Sequence, residues 1–109
     1  MGTVLNYHSL GISEDKIVDF CRRWNITEFA LFGSILRDDF GPDSDVDVLV
    51  TYGPDAEWSL LDHIQMEQEL ANLFGREVDL VSRRAVDQSE NWIRRKHILS
   101  NARVVYASR

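Results

Sequence analysis

Three aspartates and a Gly-Ser pair carry the strongest chemical signal in this sequence. Gly33 and Ser34 are followed, after a gap of ten residues, by Asp45 and Asp47, and Asp79 interrupts a later apolar run. Because Asp45 and Asp47 are two positions apart, they project from the same face of a strand. A carboxylate inside an apolar strand is costly unless a cation or hydrogen bonds meet it. Mg²⁺ takes one or two carboxylates together with substrate phosphates, so the constellation predicts a site for Mg²⁺ and a nucleoside triphosphate.

The Gly-Ser pair supplies groups that suit the phosphates of such a ligand. Gly33 lets the backbone approach a ligand closely, and Ser34 offers a hydroxyl and an amide to phosphate oxygens. Arg37 lies one turn further on and can clamp a phosphate with two parallel hydrogen bonds. Asp79, as a third acid, can complete a catalytic ion site and help to deprotonate an attacking hydroxyl. By contrast, we interpret Asp38, Asp39 and Asp43 as solvated loop charges.

The elements that must position these residues follow from hydrophobic periodicity and from turn residues. The pattern predicts helices at about 14–24, 59–74 and 89–101, a helical turn at 35–39, and strands at 27–32, 45–52, 77–81 and 103–107. In the second helix Ser59 is the expected cap and Gly75 the stop, and the residues expected to face inward are Leu60, Leu61, Ile64, Leu70, Ala71 and Phe74. The alternation predicts an α/β (α+β) two-layer domain, a single unit over residues 1–109 with a loosely ordered segment at 1–12.

The short connection between the first two strands predicts their relative direction. Only about a dozen residues separate them, and a parallel crossover needs that many and usually a helix. The two strands should therefore run antiparallel. This brings the end of the first strand, with Gly33, beside the start of the second, with Asp45 and Asp47.

Composition and charge limit the class of protein. The chain has 109 residues and a net charge of −6, but residues 83–109 carry seven basic side chains against two acidic ones. The acidic body argues against a nucleic-acid-wrapping role, because that role needs a broad cationic face. There is no secretory pattern and no apolar stretch of membrane-spanning length, and the lone Cys21 is expected to be a buried structural thiol. These features predict a cytoplasmic protein; self-association or partner docking through the helix at 92–99 stays open.

The same residues, read as motifs, resemble those of a known family. The motifs are Phe32-Gly33-Ser34, the ten-residue gap, Asp43-Ser44-Asp45-Val46-Asp47 and Val78-Asp79-Leu80-Val81. Together with residues 85–106 they look like the minimal nucleotidyltransferases of the DNA polymerase β superfamily. The chain departs from the family pattern at Asp38, where members commonly have a glycine after the arginine that matches Arg37.

The resemblance implies a fold, a cofactor and roles for residues. It implies a mixed sheet flanked by helices and two Mg²⁺ ions in the active complex. Asp45 and Asp47 would hold both ions and Asp79 would complete the catalytic one, while Gly33 and Ser34 would bind the triphosphate. An acceptor hydroxyl would attack the α-phosphorus of the nucleotide, and pyrophosphate would leave.

The resemblance also implies a partner. Larger relatives carry further domains that hold the acceptor, and the minimal members are often antitoxins paired with a helical toxin of the HEPN type, to whose tyrosine they transfer AMP from ATP. This protein adenylyltransferase is the leading hypothesis. The alternatives are a non-catalytic module that binds a nucleotide or a partner, and a nucleotidyltransferase that acts on a small molecule or an RNA end.

Overall fold

A computed structural model of the protein describes residues 14–33 and 44–108. The elements in chain order are α1 (Glu14–Arg23), β1 (Ile26–Phe32), β2 (Val46–Tyr52), α2 (Leu60–Phe74), β3 (Val78–Ser82), α3 (Arg83–Asp87), α4 (Trp92–Asn101) and β4 (Arg103–Ala107). The predicted turn at 35–39 and the N-terminal segment 1–12 lie outside the described residues. Within the described ranges, none of the helices is both long and apolar enough to cross a membrane.

The four strands form one mixed sheet in the order β3-β2-β1-β4. β1 pairs antiparallel with β2 and with β4, whereas β2 and β3 run parallel. The predicted antiparallel pairing of the first two strands is therefore confirmed. The parallel pair needs a crossover, and α2 supplies it.

The main hydrophobic core lies on one face of the sheet, under α1 and α2. Its members come from both helices and from β1, β2 and β3: Ile17, Phe20, Cys21, Ile26, Phe29, Leu31, Val46, Val48, Val50, Met66, Leu70, Phe74 and Leu80. Cys21 is fully buried, and burial raises the pKa of its thiol to about 12. The expectation of a structural thiol is confirmed, since a thiolate cannot form readily there.

A smaller cluster covers the opposite face of the sheet. It consists of Ala30, Phe32, Leu49, Val86 and Ile98, the last two from α3 and α4. The predicted α/β (α+β) class with a mixed sheet flanked by helices is confirmed. The two-layer description needs this third, thinner layer, because Ala30, Phe32 and Leu49 are buried on the second face of the sheet; α3, which helps to cover them, was not predicted from the sequence.

The ends of α2 follow the prediction closely. Ser59 accepts a hydrogen bond from the Asp62 amide, and the Asp62 carboxylate accepts one from the Ser59 amide, which forms a capping box. Gly75 ends the helix in the left-handed conformation at φ 69°, which glycine adopts without the steric cost of a Cβ.

The burial of α2 differs from the prediction in its first half. Leu60, Leu61 and Ile64 were expected to face inward, yet they are 73%, 76% and 42% exposed. The buried line of the helix is Met66, Leu70 and Phe74, at intervals of four residues. The three exposed residues lie off that line by a quarter of a turn or more, because each position rotates the side chain by about 100°. The prediction had assigned residues from two different sides of the helix to a single buried surface.

Candidate active site

Asp47 and Asp79 stand side by side at the same level of the sheet. Asp47 of β2 pairs with Asp79 of β3 in the parallel register and with Phe32 of β1 in the antiparallel one. Residues paired in register project from the same face of a sheet, and Asp45, two positions before Asp47, shares that face. The pleat and the register thus bring carboxylates from two separate parts of the sequence together.

All three aspartates line one open cavity of about 510 Å³. Asp45 and Asp79 are exposed and Asp47 is half-buried, so each carboxylate is accessible to a ligand from solvent. The remaining lining residues come from α2 and from the start of β3: Ile64, Glu67, Gln68, Ala71, Glu77 and Val78. The cavity therefore lies between the acidic residues at the starts of β2 and β3 and one side of α2.

Gly33 lies directly against the Asp47 carboxylate. Its φ is +78°, in the left-handed region, and a Cβ atom at this position would collide with Asp47 Oδ2. Only glycine gives this close approach without strain. The end of β1 thus brings backbone beside the acids, while Ser34 and Arg37, the other predicted phosphate ligands, lie outside the described residues.

Two hydrogen bonds hold the segment that carries Asp45. The Arg76 guanidinium donates to the Ser44 carbonyl at 3.1 Å, and the Val46 amide donates to the Glu77 carbonyl at 3.0 Å. The Arg76–Glu77 segment just before β3 is therefore hydrogen-bonded to the residues on both sides of Asp45. Sequence reasoning missed Arg76, and its only signal is its place directly after the helix stop at Gly75.

Glu67 closes the outer edge of β3 next to Asp79. β3 is an edge strand, and Glu67 Oε2 accepts a hydrogen bond from the Leu80 amide at 2.9 Å. His63 Nε2 lies 3.6 Å from the same carboxylate oxygen. An edge amide otherwise needs water or another strand, so Glu67 fixes the strand beside Asp79. No sequence motif pointed to Glu67, because its partner is a backbone group.

The acidic side chains fit Mg²⁺ by donor type and by access. Among the residues that the structure describes, no three acidic, histidine or cysteine side chains are grouped closely enough to hold an ion by themselves. Mg²⁺ does not require such a cage, because it usually keeps waters and completes its coordination with substrate phosphates. Three accessible carboxylates around one cavity match that requirement.

Comparison with protein-family models gives a match to the nucleotidyltransferase domain over residues 14–105. A candidate protein adenylyltransferase from Methanocaldococcus jannaschii is 33% identical over 67 residues, which are 62% of this chain and 70% of that protein. Protein adenylyltransferase MntA from Thermococcus cleftensis is 42% identical over 59 residues, 54% of this chain and 58% of that one. The chain thus aligns with 70% and 58% of the lengths of these two relatives.

A solved structure with a similar fold is the complex of a tri-AMPylated HEPN toxin from Shewanella oneidensis with its MNT antitoxin. The TM-score is 0.62 at 19% identity, over 94% of this chain and 73% of that one; at this identity the similarity shows the fold alone. The predicted enzyme class, a nucleotidyltransferase, agrees with the family match and with the names of the relatives. The chain therefore belongs to the nucleotidyltransferase domain family.

Proposed function

We propose that this protein is a Mg²⁺-dependent nucleotidyltransferase that transfers AMP from ATP to a tyrosine hydroxyl of a HEPN-type toxin, and thereby acts as the antitoxin. One observation carries the proposal. Asp47 and Asp79, from two neighbouring strands, and Asp45, directly before β2, line a single cavity, and the backbone of Gly33 closely approaches Asp47.

The metal would be held by the three carboxylates. Asp45 and Asp47 would hold two Mg²⁺ ions, and Asp79 would complete the catalytic one. When bound, Mg²⁺ supplies positive charge that offsets the negative charge of the phosphates. Because the cavity is open to solvent, the phosphate oxygens of the nucleotide would reach the ions and provide their remaining ligands.

The protein groups around the nucleotide would orient it and take up a proton. Gly33, Ser34 and Arg37 would bind the triphosphate, and Asp79 would accept the proton of the tyrosine hydroxyl. The hydroxyl oxygen then forms a bond to the α-phosphorus, the bond from that phosphorus to the bridging oxygen of the β-phosphate breaks, and pyrophosphate leaves. The products are a phosphodiester on tyrosine and free pyrophosphate.

The names of the similar proteins support this choice of nucleotide and acceptor. Two relatives are named as protein adenylyltransferases, and the similar fold comes from an antitoxin bound to an AMPylated HEPN toxin.

A labelling experiment tests the proposal. The protein is incubated with Mg²⁺, a HEPN-type protein encoded beside its gene, and ATP labelled at either the α- or the γ-phosphate. We expect label on the HEPN-type protein from α-labelled ATP only, and no label when its acceptor tyrosine is replaced by phenylalanine.

Three results would contradict the proposal, each in a different way. Label from γ-labelled ATP would indicate a kinase. Label on RNA or on a small molecule, with none on protein, would favour the alternative acceptors. ATP binding by isothermal titration without pyrophosphate release, with the partner present, would indicate a non-catalytic module.

A further inference from the structure

The first half of α2 exposes an apolar patch that reaches the candidate active site at Ile64. Leu60, Leu61 and Ile64 are separated by three and four positions, so they lie on adjoining parts of one helix surface. Their exposures of 73%, 76% and 42% are high for three neighbouring large apolar side chains. Contiguous exposed apolar surface with a polar border is typical of an interaction site. We refer to these three residues as the α2 patch.

The α2 patch is continuous with the catalytic cavity. Ile64 belongs to both, since it lines the cavity together with Glu67, Gln68 and Ala71. These four residues follow one line along α2, at intervals of three and four positions, and Leu60 extends the same line by one further turn. A protein that covers the α2 patch and the next turns of the helix would therefore reach the cavity.

The chain on both sides of the α2 patch is mainly acidic, although Arg83 and Arg84 line a cavity with Pro54 and Ala56 just before the helix. The segment from residue 53 to residue 75 contains five acidic side chains and no lysine or arginine. Asp55 and Glu57 are exposed just before the helix, and Asp62 and Glu67 are half-exposed within it. A partner that covers this surface must match apolar side chains in the centre and negative charge around them. Basic groups at the partner's rim satisfy that condition and speed the encounter.

Trp58 gives the entrance to α2 a fixed aromatic group. It is 36% exposed, and its ring packs edge-on against Trp24 with the ring centroids 5.2 Å apart. The Trp24 indole in turn donates to Glu69 at 2.9 Å. These contacts hold Trp58 on the side of α2 that faces α1, so it is not counted as part of the α2 patch.

We infer that the α2 patch, with its acidic border, is the docking surface for the acceptor protein, whose matching segment is apolar with basic residues at its edge. The inference rests on the proposed function and adds where the acceptor binds. Leu60 and Leu61 lie at the start of α2, whereas the carboxylates at 45, 47 and 79 lie nearer the end of that helix. The acceptor protein would therefore cover α2 from the patch to the cavity, and its hydroxyl would enter past Ile64.

The test compares two matched pairs of substitutions. Leu60→Ser with Leu61→Ser removes the centre of the patch, and neither residue lines the cavity. Trp92→Ser with Ile93→Ser serves as control, because these residues are 60% and 65% exposed on α4. For each protein we would measure binding of the HEPN-type protein, KM and kcat for AMP transfer to it, and binding of ATP with Mg²⁺ by isothermal titration.

We expect the α2 double variant to weaken binding of the HEPN-type protein and to raise its KM by about tenfold or more, as interface anchors do. ATP binding and kcat should stay within about twofold. The control pair should leave binding of the HEPN-type protein and its KM unchanged. Glu57→Lys should raise KM by a few-fold and weaken its dependence on salt, since it reverses a charge at the border.

Failure of this inference differs from failure of the proposed function. If transfer proceeds and the α2 double variant keeps the wild-type KM, or if only the control pair raises it, the docking surface is wrong while the activity stands. If the wild-type protein binds the HEPN-type protein without transfer, the activity fails, and the binding measurement still decides whether the patch holds the partner. Absence of any binding by the wild-type protein overturns the inference.

Discussion

At the start of β2 the two faces of the strand differ in burial and charge, although further along both faces carry core residues, since Leu49 lies in the smaller cluster. On one face Val46, Val48 and Val50 are fully buried in the main core. On the other, Asp45 is exposed and Asp47 is half-buried at the cavity. Because successive side chains alternate across a strand, neighbouring positions at the start of β2 belong in turn to the hydrophobic core and to the proposed catalytic site. Substitutions of Asp47 and Val48 should therefore have opposite consequences, and the first two predictions below test that separation.

The largest effect is expected at Asp47. Asp47→Ala should lower AMP transfer by roughly 10³-fold, equivalent to about 4 kcal/mol in the activation free energy, because it removes a ligand shared by both proposed ions. In metal-free buffer the free energy of unfolding should stay the same or rise slightly, since neighbouring carboxylates repel. Single-turnover kinetics and urea unfolding measure the two quantities. A variant that transfers AMP at the wild-type rate would contradict the assignment.

Val48→Ala tests the other face of the same strand. Removing buried methyl groups costs about 0.8 kcal/mol each plus a cavity cost, so the free energy of unfolding should fall by about 2–3 kcal/mol. At temperatures where the variant remains folded, its transfer rate should stay within about threefold of the wild type. A rate loss as large as that of Asp47→Ala would show that the two faces are not independent.

Gly33→Ala tests the close contact between the end of β1 and Asp47. The left-handed backbone costs a residue with a Cβ roughly 1–2 kcal/mol, and the new methyl group would displace the Asp47 carboxylate. We expect a modest loss of stability and a transfer rate lowered by roughly tenfold or more. If calorimetry shows the lost stability while the rate is unchanged, Gly33 serves only the fold.

The smallest effect is expected on the side of α2 that faces α1, at Glu69. Burial alone would raise the pKa of this carboxyl, but hydrogen bonds from Arg23 and Trp24 outweigh burial and hold the pKa below its ordinary value. A lowered pKa in the folded state stabilises the protein above the ordinary pKa of a glutamate, about 4.3, and this contribution is lost as the pH falls through the folded-state pKa.

Glu69→Gln keeps the acceptor oxygen and removes the charge. Loss of the partly exposed ion pair with Arg23 should lower the free energy of unfolding by about 0.5–1 kcal/mol at pH 7. Urea unfolding of both proteins at pH 7 and near pH 3 should show a difference at neutral pH that shrinks in acid. A difference that grows in acid would have the wrong sign for this carboxylate.

Much of the architecture could be predicted from local signals. Ser59 and Gly75 marked the ends of α2, and the short connection after β1 required antiparallel pairing with β2. These features depend on near neighbours in the chain, so the sequence carries them directly. The placement of Asp79 beside Asp47 depends on a parallel register across α2, which no local pattern specifies. The sequence indicated only that an acid interrupting an apolar run belongs to the same site, and the family resemblance agreed.

The missed features share a different cause. Glu67 and Arg76 bind backbone groups, the Leu80 amide and the Ser44 carbonyl, and backbone partners leave no trace in a sequence. The exposure of Leu60 and Leu61 was missed because apolar residues at helical spacing favour a buried stripe unless the angle around the helix is followed. In both cases the structure was needed to show what surrounds the residue.

The most direct test of the central claim is the exchange of Asp79 for asparagine, because Asp79 is the carboxylate that only folding brings to the other two. Asp79→Asn preserves size and polarity, so the variant should unfold like the wild type in urea. We predict that its transfer of α-labelled AMP to the HEPN-type protein falls by at least about 100-fold. Transfer at the wild-type rate by a folded Asp79→Asn protein would contradict the claim that the three aspartates form one catalytic site.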